Sequence, residues 1–134
     1  YLDDEGSMNK SGMDITELKK TVSPVSNLII ACRSADVPII FTRYVLRADY
    51  KDAGLRSVRR SKFKEINSLV MGTWDSELDL RMNQRPEDYV LDNTRYSSFY
   101  HTSLEVILRG LGVDTLIICG VTTEICVEFT IRDA

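Results

Sequence analysis

A cysteine near the end of the chain follows a glycine turn in a pattern that can activate a thiol. The segment reads Gly120-Val121-Thr122-Thr123-Glu124-Ile125-Cys126-Val127 and comes directly after the apolar run 115–119. Thr123 can cap a helix, which would place Cys126 in the first helical turn. Backbone N–H groups and the positive end of the helix dipole gather there, and they stabilise both a thiolate and a developing oxyanion. The pattern favours a cysteine nucleophile, although a small buried packing cysteine fits it too.

Other residues with chemical potential are better explained by structural roles. Cys32 lies on the apolar face of a predicted helix and Cys119 ends an apolar run, so we predict that both are packing residues. The single histidine, His101, stands beside a helix cap and is expected at the surface. Three cysteines in no zinc spacing and one histidine predict neither a metal site nor a metal cofactor. Trp74 is predicted to be either a core anchor or a pocket wall.

Helix and strand signals alternate along the chain. Helices are predicted to begin at Ser23-Pro24 and at the capping box of residues 102–105, and strands are predicted over 37–42, 89–92 and 115–119. This alternation predicts an α/β fold, a parallel sheet with helices on both faces. In such a sheet the active site lies beyond the carboxyl ends of the strands, where the second and third runs both end.

Composition narrows the class of protein. The chain has 134 residues, of which 43% are hydrophobic, and a net charge of -3, which fits one globular domain. An acidic chain argues against nucleic acid as a partner, and the most basic stretch, residues 56–64, is predicted to be a solvated face. We find no signal peptide or membrane-length apolar run, and three cysteines cannot all pair. We therefore expect a cytoplasmic protein with no membrane partner.

The carboxyl-terminal part of the chain resembles the isochorismatase-like cysteine hydrolases. The match is continuous from Val90 to the end and includes Arg95-Tyr96-Ser97-Ser98-Phe99 and the segment 120–127. It is looser but in register over residues 24–42. Gly72-Thr73-Trp74-Asp75 is similar to the branch that contains ureidoacrylate amidohydrolases and N-carbamoyl-amide hydrolases.

This resemblance implies a fold and a set of partners. Residues 1–134 are expected to form one isochorismatase-like domain with a Rossmann-like three-layer architecture. The first and last strands of that architecture are not found, so the domain is expected to be incomplete at both ends. The resemblance also implies a small-molecule substrate, no cofactor and a homo-oligomeric protein.

The resemblance assigns roles to five residues. Cys126 is the expected nucleophile, and the peptide bond before Thr122 is expected to be cis, which turns the Thr122 N–H toward the oxyanion. Thr122 and Cys126 would form the oxyanion hole. Trp74, Tyr96 and Phe99 are expected to wall the substrate pocket.

Two positions depart from the triad of aspartate, lysine and cysteine that the resemblance implies. Asn93 stands where the lysine is expected, and asparagine can neither carry the charge nor relay the proton of a lysine. Arg95 matches a residue that the family already has, so it is a poor replacement. The triad aspartate is expected upstream of Tyr1, because Asp3 and Asp4 are out of register.

Three activities remain open from the sequence. The first is hydrolysis of a small amide or ureido C–N bond through an acyl-enzyme on Cys126. The second, motivated by Asn93, is a catalytically impaired member that acts as a binding or assembly subunit, and the third is hydrolysis of an isochorismate-type vinyl ether. A nicotinamidase is disfavoured because no Asp-x-His site follows Thr42. The long excursion 44–79 is expected to shape the pocket and the substrate preference.

Overall fold

The computed structural model describes residues 1–55 and 61–134. Its helices are short, apart from α3 and α5, and two single turns of 3₁₀ helix precede the second strand. The helices are α1 (Ser7–Lys10), α2 (Thr16–Lys19), α3 (Val22–Ser34), α4 (Lys62–Glu65), α5 (Leu104–Leu111) and α6 (Glu128–Asp133), and the 3₁₀ turns are Trp74–Ser76 and Leu80–Met82.

Two parallel strands form the sheet. Strand β1 (Ile40–Tyr44) pairs in parallel with β2 (Tyr89–Asn93), and the register runs from Ile40 opposite Tyr89 to Tyr44 opposite Asn93. Helix α3 precedes β1 and the long connection 45–88 leads to β2, as expected for an α/β chain. The predicted parallel sheet with helices is therefore confirmed. Strand β1 lies two to three residues nearer the carboxyl end than predicted, and β2 begins at the predicted residue and is one residue longer. Asn93 lies at the carboxyl end of β2, the edge where the site was predicted.

The predicted third strand does not form. Residues 115–119 carry no regular secondary structure, and among the described residues the backbone of 114–121 makes no hydrogen bond to other backbone groups. Ile117 in this segment is 65% exposed. An apolar, β-branched run is suited to a strand, but a strand also needs a second backbone beside it to complete the ladder. In the described sheet, β1 and β2 pair only with each other.

Helix ends follow local chemistry closely. Helix α3 begins at Val22, one residue before the predicted Ser23 cap. Helix α5 begins at Leu104 and its N-cap is Ser103, one residue after the predicted Thr102 cap, although the Thr102 hydroxyl accepts the Leu104 N–H at 3.1 Å. Gly112 ends α5 with a φ of 65°, the left-handed conformation that glycine adopts most easily. These ends are fixed by single residues, and the sequence predicts them to within two positions.

The excursion between the strands folds into a small core. Leu46, Tyr50, Ala53 and Val70 are all buried there, and Tyr44 packs against them from the end of β1. The Tyr50 hydroxyl donates a hydrogen bond to the Ser68 carbonyl oxygen at 3.0 Å. The excursion therefore packs against the carboxyl end of β1 and supports it. Of the basic stretch 56–64, residues 56–60 lie outside the described residues, and Lys62 and Lys64 are exposed.

Bilayer-spanning structure is not found in the described part. Across residues 1–55 and 61–134, no helix has both the length and the apolar character that a membrane crossing requires.

Asp75 holds two distant segments together. Its carboxylate accepts the Ser7 N–H at 2.8 Å and the Leu69 N–H at 3.0 Å. Burial by itself would raise the pKa of the Asp75 carboxyl, but the hydrogen bonds from Ser7 and Leu69 outweigh it and the pKa is lowered. The Gly72-Thr73-Trp74-Asp75 segment therefore has a structural role that its sequence does not reveal.

The lowered pKa of Asp75 predicts a loss of stability in acid. A depressed carboxyl pKa stabilises the folded state above the unfolded value of about 3.9, and this stabilisation is lost as the pH falls through the folded pKa. The Asp75→Asn variant should therefore be less stable than the parent near neutral pH and should lose less stability below about pH 4. Urea unfolding of both proteins over this pH range measures the difference. Asp36→Asn, at an exposed aspartate, is the control. Parallel curves for Asp75→Asn and the parent would contradict the prediction.

Candidate functional site

Cys126 lies in the first turn of the last helix. Residues Thr123–Val127 form a π-helical turn that continues directly into α6, and Cys126 is half-buried within it. The Val127 N–H donates to the Thr122 carbonyl oxygen at 3.3 Å, which is the i to i+5 bond of a π turn. The predicted position of Cys126, at the amino end of a helix, is confirmed. The predicted cap is wrong: Thr123 is the first residue of the turn, the N-cap is Thr122, and its side chain makes no capping hydrogen bond. π turns inside helices occur frequently at functional sites.

Thr122 precedes this turn in an extended conformation. The Val121–Thr122 peptide bond is cis, as predicted. Among the described residues, the Thr122 N–H donates to no protein acceptor. A backbone donor at this place, beside the helix that carries Cys126, is able to receive an oxygen atom of a ligand.

Two hydroxyl side chains connect β2 to the cysteine helix. The Thr130 Oγ1 donates to the Cys126 carbonyl oxygen at 2.7 Å and accepts the Ser98 N–H at 3.1 Å. The Asn93 Nδ2 in turn donates to the Ser98 Oγ at 3.3 Å. All three side chains of this relay, Asn93, Ser98 and Thr130, are buried. The relay fixes the end of β2 relative to the turn that carries Cys126.

Ser98 and Thr130 received no role from sequence reasoning. Thr130 stands four residues after Cys126, so the two lie on the same face of a helix, and this spacing was the available signal for Thr130. Ser98 contacts Thr130 across 32 positions of the chain. A contact of that separation leaves no periodic trace in a sequence.

The predicted site residues all line one open cleft of about 960 Å³. Its walls include β1, the segment 115–122 and all the residues assigned from the resemblance, namely Cys126, Asn93, Thr122, Trp74, Tyr96 and Phe99. Tyr96 is held between two aromatic rings, with centroids 6.3 Å from Tyr44 and 5.7 Å from Phe129. Trp74 is 60% exposed, which excludes the core-anchor interpretation. Substrate contacts by Trp74, Tyr96 and Phe99 stay a prediction.

The other two cysteines differ from Cys126 in setting. Cys119 is exposed, which corrects the prediction of a packing residue, because the segment that it ends is not covered by a neighbouring strand. Partial desolvation, with a smaller contribution from the Cys32 thiol, raises the pKa of the Cys119 thiol. A raised pKa lowers the thiolate fraction at neutral pH, so Cys119 is a poor nucleophile. Cys32 is half-buried on α3.

Five acidic residues line the cleft, namely Asp3, Asp75, Glu77, Asp79 and Glu124. Asp4 accepts a hydrogen bond from Lys19 at 2.5 Å, and Asp3 accepts the Glu5 N–H at 3.2 Å. Both aspartates are exposed, and neither contacts Asn93 among the described residues. Within residues 1–55 and 61–134, no group of three or more histidine, cysteine, aspartate and glutamate side chains is placed to hold a metal ion. His101 is exposed, as predicted.

Curated relatives match the whole of this chain. It is 30% identical to the ureidoacrylate amidohydrolase RutB of Agrobacterium fabrum over 146 aligned positions, which cover 100% of this chain and 64% of that protein. It is 32% identical to the RutB of Variovorax paradoxus, again over 100% of this chain and over 58% of the relative. The chain therefore spans less than two thirds of the length of these relatives.

Solved structures of hydrolases superpose on this chain. A cysteine hydrolase from Pseudomonas syringae pv. phaseolicola superposes with a TM-score of 0.77 at 35% identity, covering 84% of this chain and 52% of that one. N-carbamoylsarcosine amidase from Thermoplasma acidophilum gives 0.72 at 30% identity, covering 86% and 61%. The family model described as the isochorismatase domain matches residues 5–134. The chain therefore belongs to the isochorismatase family.

Proposed function

We propose that this chain carries the nucleophile of a hydrolase for small amide or ureido C–N bonds. In the first step the Cys126 Sγ attacks the carbonyl carbon, and the oxygen takes the negative charge beside the backbone N–H groups of Thr122 and Cys126. The tetrahedral intermediate expels the amine, which leaves with a proton, and a thioester to Cys126 remains. Water then attacks the thioester, releases the acid product and restores the thiol.

One observation carries this proposal: a half-buried cysteine in the first turn of a helix opens onto a cleft and is tied to the opposite strand. Three hydrogen bonds make that tie: Thr130 donates to the Cys126 carbonyl, the Ser98 N–H donates to Thr130, and Asn93 at the end of β2 donates to the Ser98 hydroxyl. Preorganised donors near a thiol favour both thiolate formation and oxyanion binding. The names of two relatives, ureidoacrylate amidohydrolase and N-carbamoylsarcosine amidase, support an amide or ureido carbonyl as the target.

A second candidate rests on Asn93. Its amide cannot donate a proton to a leaving amine as a lysine ammonium can, so the chain would bind the substrate and turn it over slowly. Such a protein would act as a binding or assembly subunit.

A covalent intermediate on Cys126 distinguishes the two candidates. We expect that the protein, mixed with ureidoacrylate or N-carbamoylsarcosine and quenched in acid, gains an acyl mass on the peptide that contains Cys126. Cys126→Ala should lose both the adduct and amine release, while Cys119→Ala, the matched control at an exposed thiol with a raised pKa, should keep both. Mass spectrometry of the digested protein and an assay of released amine provide the two readouts.

The hydrolase and the impaired alternative predict different results in this experiment. Amine release that survives in Cys126→Ala would refute the cysteine mechanism. Binding of either compound without any adduct or amine release would support the impaired alternative.

A further inference from the structure

The Thr130 hydroxyl joins two segments that are far apart in the chain. It donates to the Cys126 carbonyl oxygen at 2.7 Å and accepts the Ser98 N–H at 3.1 Å, and Thr130 is 8% exposed. A hydroxyl has one proton, so the proton of Thr130 is committed to the residue that carries the thiol. Both bonds join groups of this chain and are buried or part-buried.

The bond from Thr130 to Cys126 is more than the ordinary bond of a helical hydroxyl. Serine and threonine side chains often donate to the carbonyl four residues earlier, and such a bond by itself is local. Ser34 makes one on α3, to the Ile30 carbonyl oxygen at 3.0 Å, with an exposed side chain. The Thr130 hydroxyl also accepts an N–H from a residue 32 positions away, so its bond fixes Cys126 relative to another segment.

The π turn that carries Cys126 has weak backbone bonds at its amino end. The Thr122 carbonyl oxygen accepts the Ile125 and Val127 N–H groups, both at 3.3 Å, which is longer than the usual range of about 2.7–3.2 Å. π turns are rare beside α-helical turns, so a π turn needs support from its surroundings. The 2.7 Å bond from Thr130 supplies such support at the nucleophile candidate itself.

We infer that Thr130 is a positioning residue, which sets the reactivity of the Cys126 thiol by holding the π turn against Ser98. As an account of catalysis the inference rests on the proposed function, in which Cys126 is the nucleophile. The field of a helix end falls off within one turn, so a thiolate is stabilised only while the turn keeps the sulfur close to that end. A displacement of about 1 Å costs as much as a hundredfold in the rate of a positioned group.

Thr130→Val tests the inference, because valine keeps the branched shape and lacks the hydroxyl. At neutral pH we expect iodoacetamide to alkylate Cys126 in this variant about three- to thirtyfold more slowly than in the parent, the range that corresponds to loss of the helix-end contribution. The kcat and the kcat/KM for ureidoacrylate should fall together, as expected for a group that acts on the transition state. Thr130→Ser keeps the hydroxyl and should restore both rates.

Mass spectrometry measures alkylation together with an internal control. Cleavage after Glu124 places Cys119 and Cys126 on separate peptides, and the alkylation rate of Cys119 should not change. Ser34→Ala removes the comparable hydroxyl bond on α3 and should leave the Cys126 rate unchanged. A loosened helix would expose the half-buried Cys126 and accelerate its alkylation, so a merely structural role of Thr130 predicts the opposite sign.

Thermal melting verifies that each variant is folded, and hydrogen exchange tests the junction in the parent chain. The Ser98 amide proton should exchange slowly there, and exchange as fast as that of an exposed amide would overturn the inference even if Thr130→Val is unfolded. Alkylation of Cys126 at the parent rate or faster in a folded Thr130→Val protein would also overturn it. So would a Thr130→Ser protein as slow as Thr130→Val. Slower alkylation in Thr130→Val, restored in Thr130→Ser, with no hydrolysis by the parent chain would leave the inference about the thiol standing and remove the proposed function.

Discussion

The Asn93→Lys variant should hydrolyse amide or ureido substrates about 10²–10⁴-fold faster than the parent chain, the range that a positioned proton donor typically contributes. A lysine at the end of β2 would project into the cleft that Cys126 lines. Its positive charge would favour the Cys126 thiolate, and its ammonium group would protonate the leaving amine. The amide side chain of Asn93 does neither. Turnover of ureidoacrylate or N-carbamoylsarcosine, measured at neutral pH for both proteins, provides the comparison.

A neutral variant of similar length isolates the effect of the charge. Asn93→Met has a side chain of similar length without a proton or a charge, and it should be no faster than the parent, because it also loses the hydrogen bond to Ser98. The rate of Cys126 alkylation by iodoacetamide should rise at lower pH for Asn93→Lys than for Asn93→Met, both made in a Cys119→Ala background. Identical alkylation profiles and turnover for the two variants would show that another group performs the work of the lysine. Rapid turnover by the parent chain would exclude the impaired alternative.

The Asp88→Asn variant should lower the free energy of unfolding by about 3–5 kcal/mol, the cost of leaving a buried charge without its partner. Arg33 donates to Asp88 Oδ2, and the side chains of the two residues are only 11% and 5% exposed. The Arg85 N–H donates to the same oxygen at 2.7 Å, and Arg33 Nη1 donates to the Asn83 carbonyl at 2.8 Å. The pair attaches α3 to the loop that begins β2, the strand whose far end carries Asn93.

An exposed ion pair in the same loop gives the matched control. Arg85 and Glu87 are 3.7 Å apart with side chains 50% and 67% exposed, so Glu87→Gln should change the unfolding free energy by no more than about 1 kcal/mol. Urea unfolding at neutral pH measures both variants against the parent. An Asp88→Asn cost as small as that of Glu87→Gln would show that the guanidinium of Arg33 regains solvent when its partner is removed.

The parts of the site that the sequence predicted correctly depend on interactions between residues close together in the chain. Thr123 and the glycine turn before it predicted that Cys126 would lie in the first turn of a helix, and Gly112 predicted the end of α5. These features depend on residues within a few positions of one another, whose conformational preferences act before any tertiary contact forms. The parallel pairing of β1 with β2 was likewise predicted from the alternation of helix and strand patterns.

Tertiary structure decided what depends on residues far apart in the chain. Residues 115–119 have the composition of a strand, yet their backbone pairs with no other described backbone, and Cys119 is exposed. The relay through Ser98 and Thr130 joins positions 32 residues apart, and it leaves the Oδ1 of Asn93 buried without a partner. Amino-acid type sets what a residue is able to bond, whereas only the packed backbone sets which groups come within hydrogen-bonding distance. The sequence by itself therefore identified the nucleophile candidate, and the tertiary structure revealed the hydrogen bonds through Thr130 and Ser98 that connect the helix of Cys126 to Asn93.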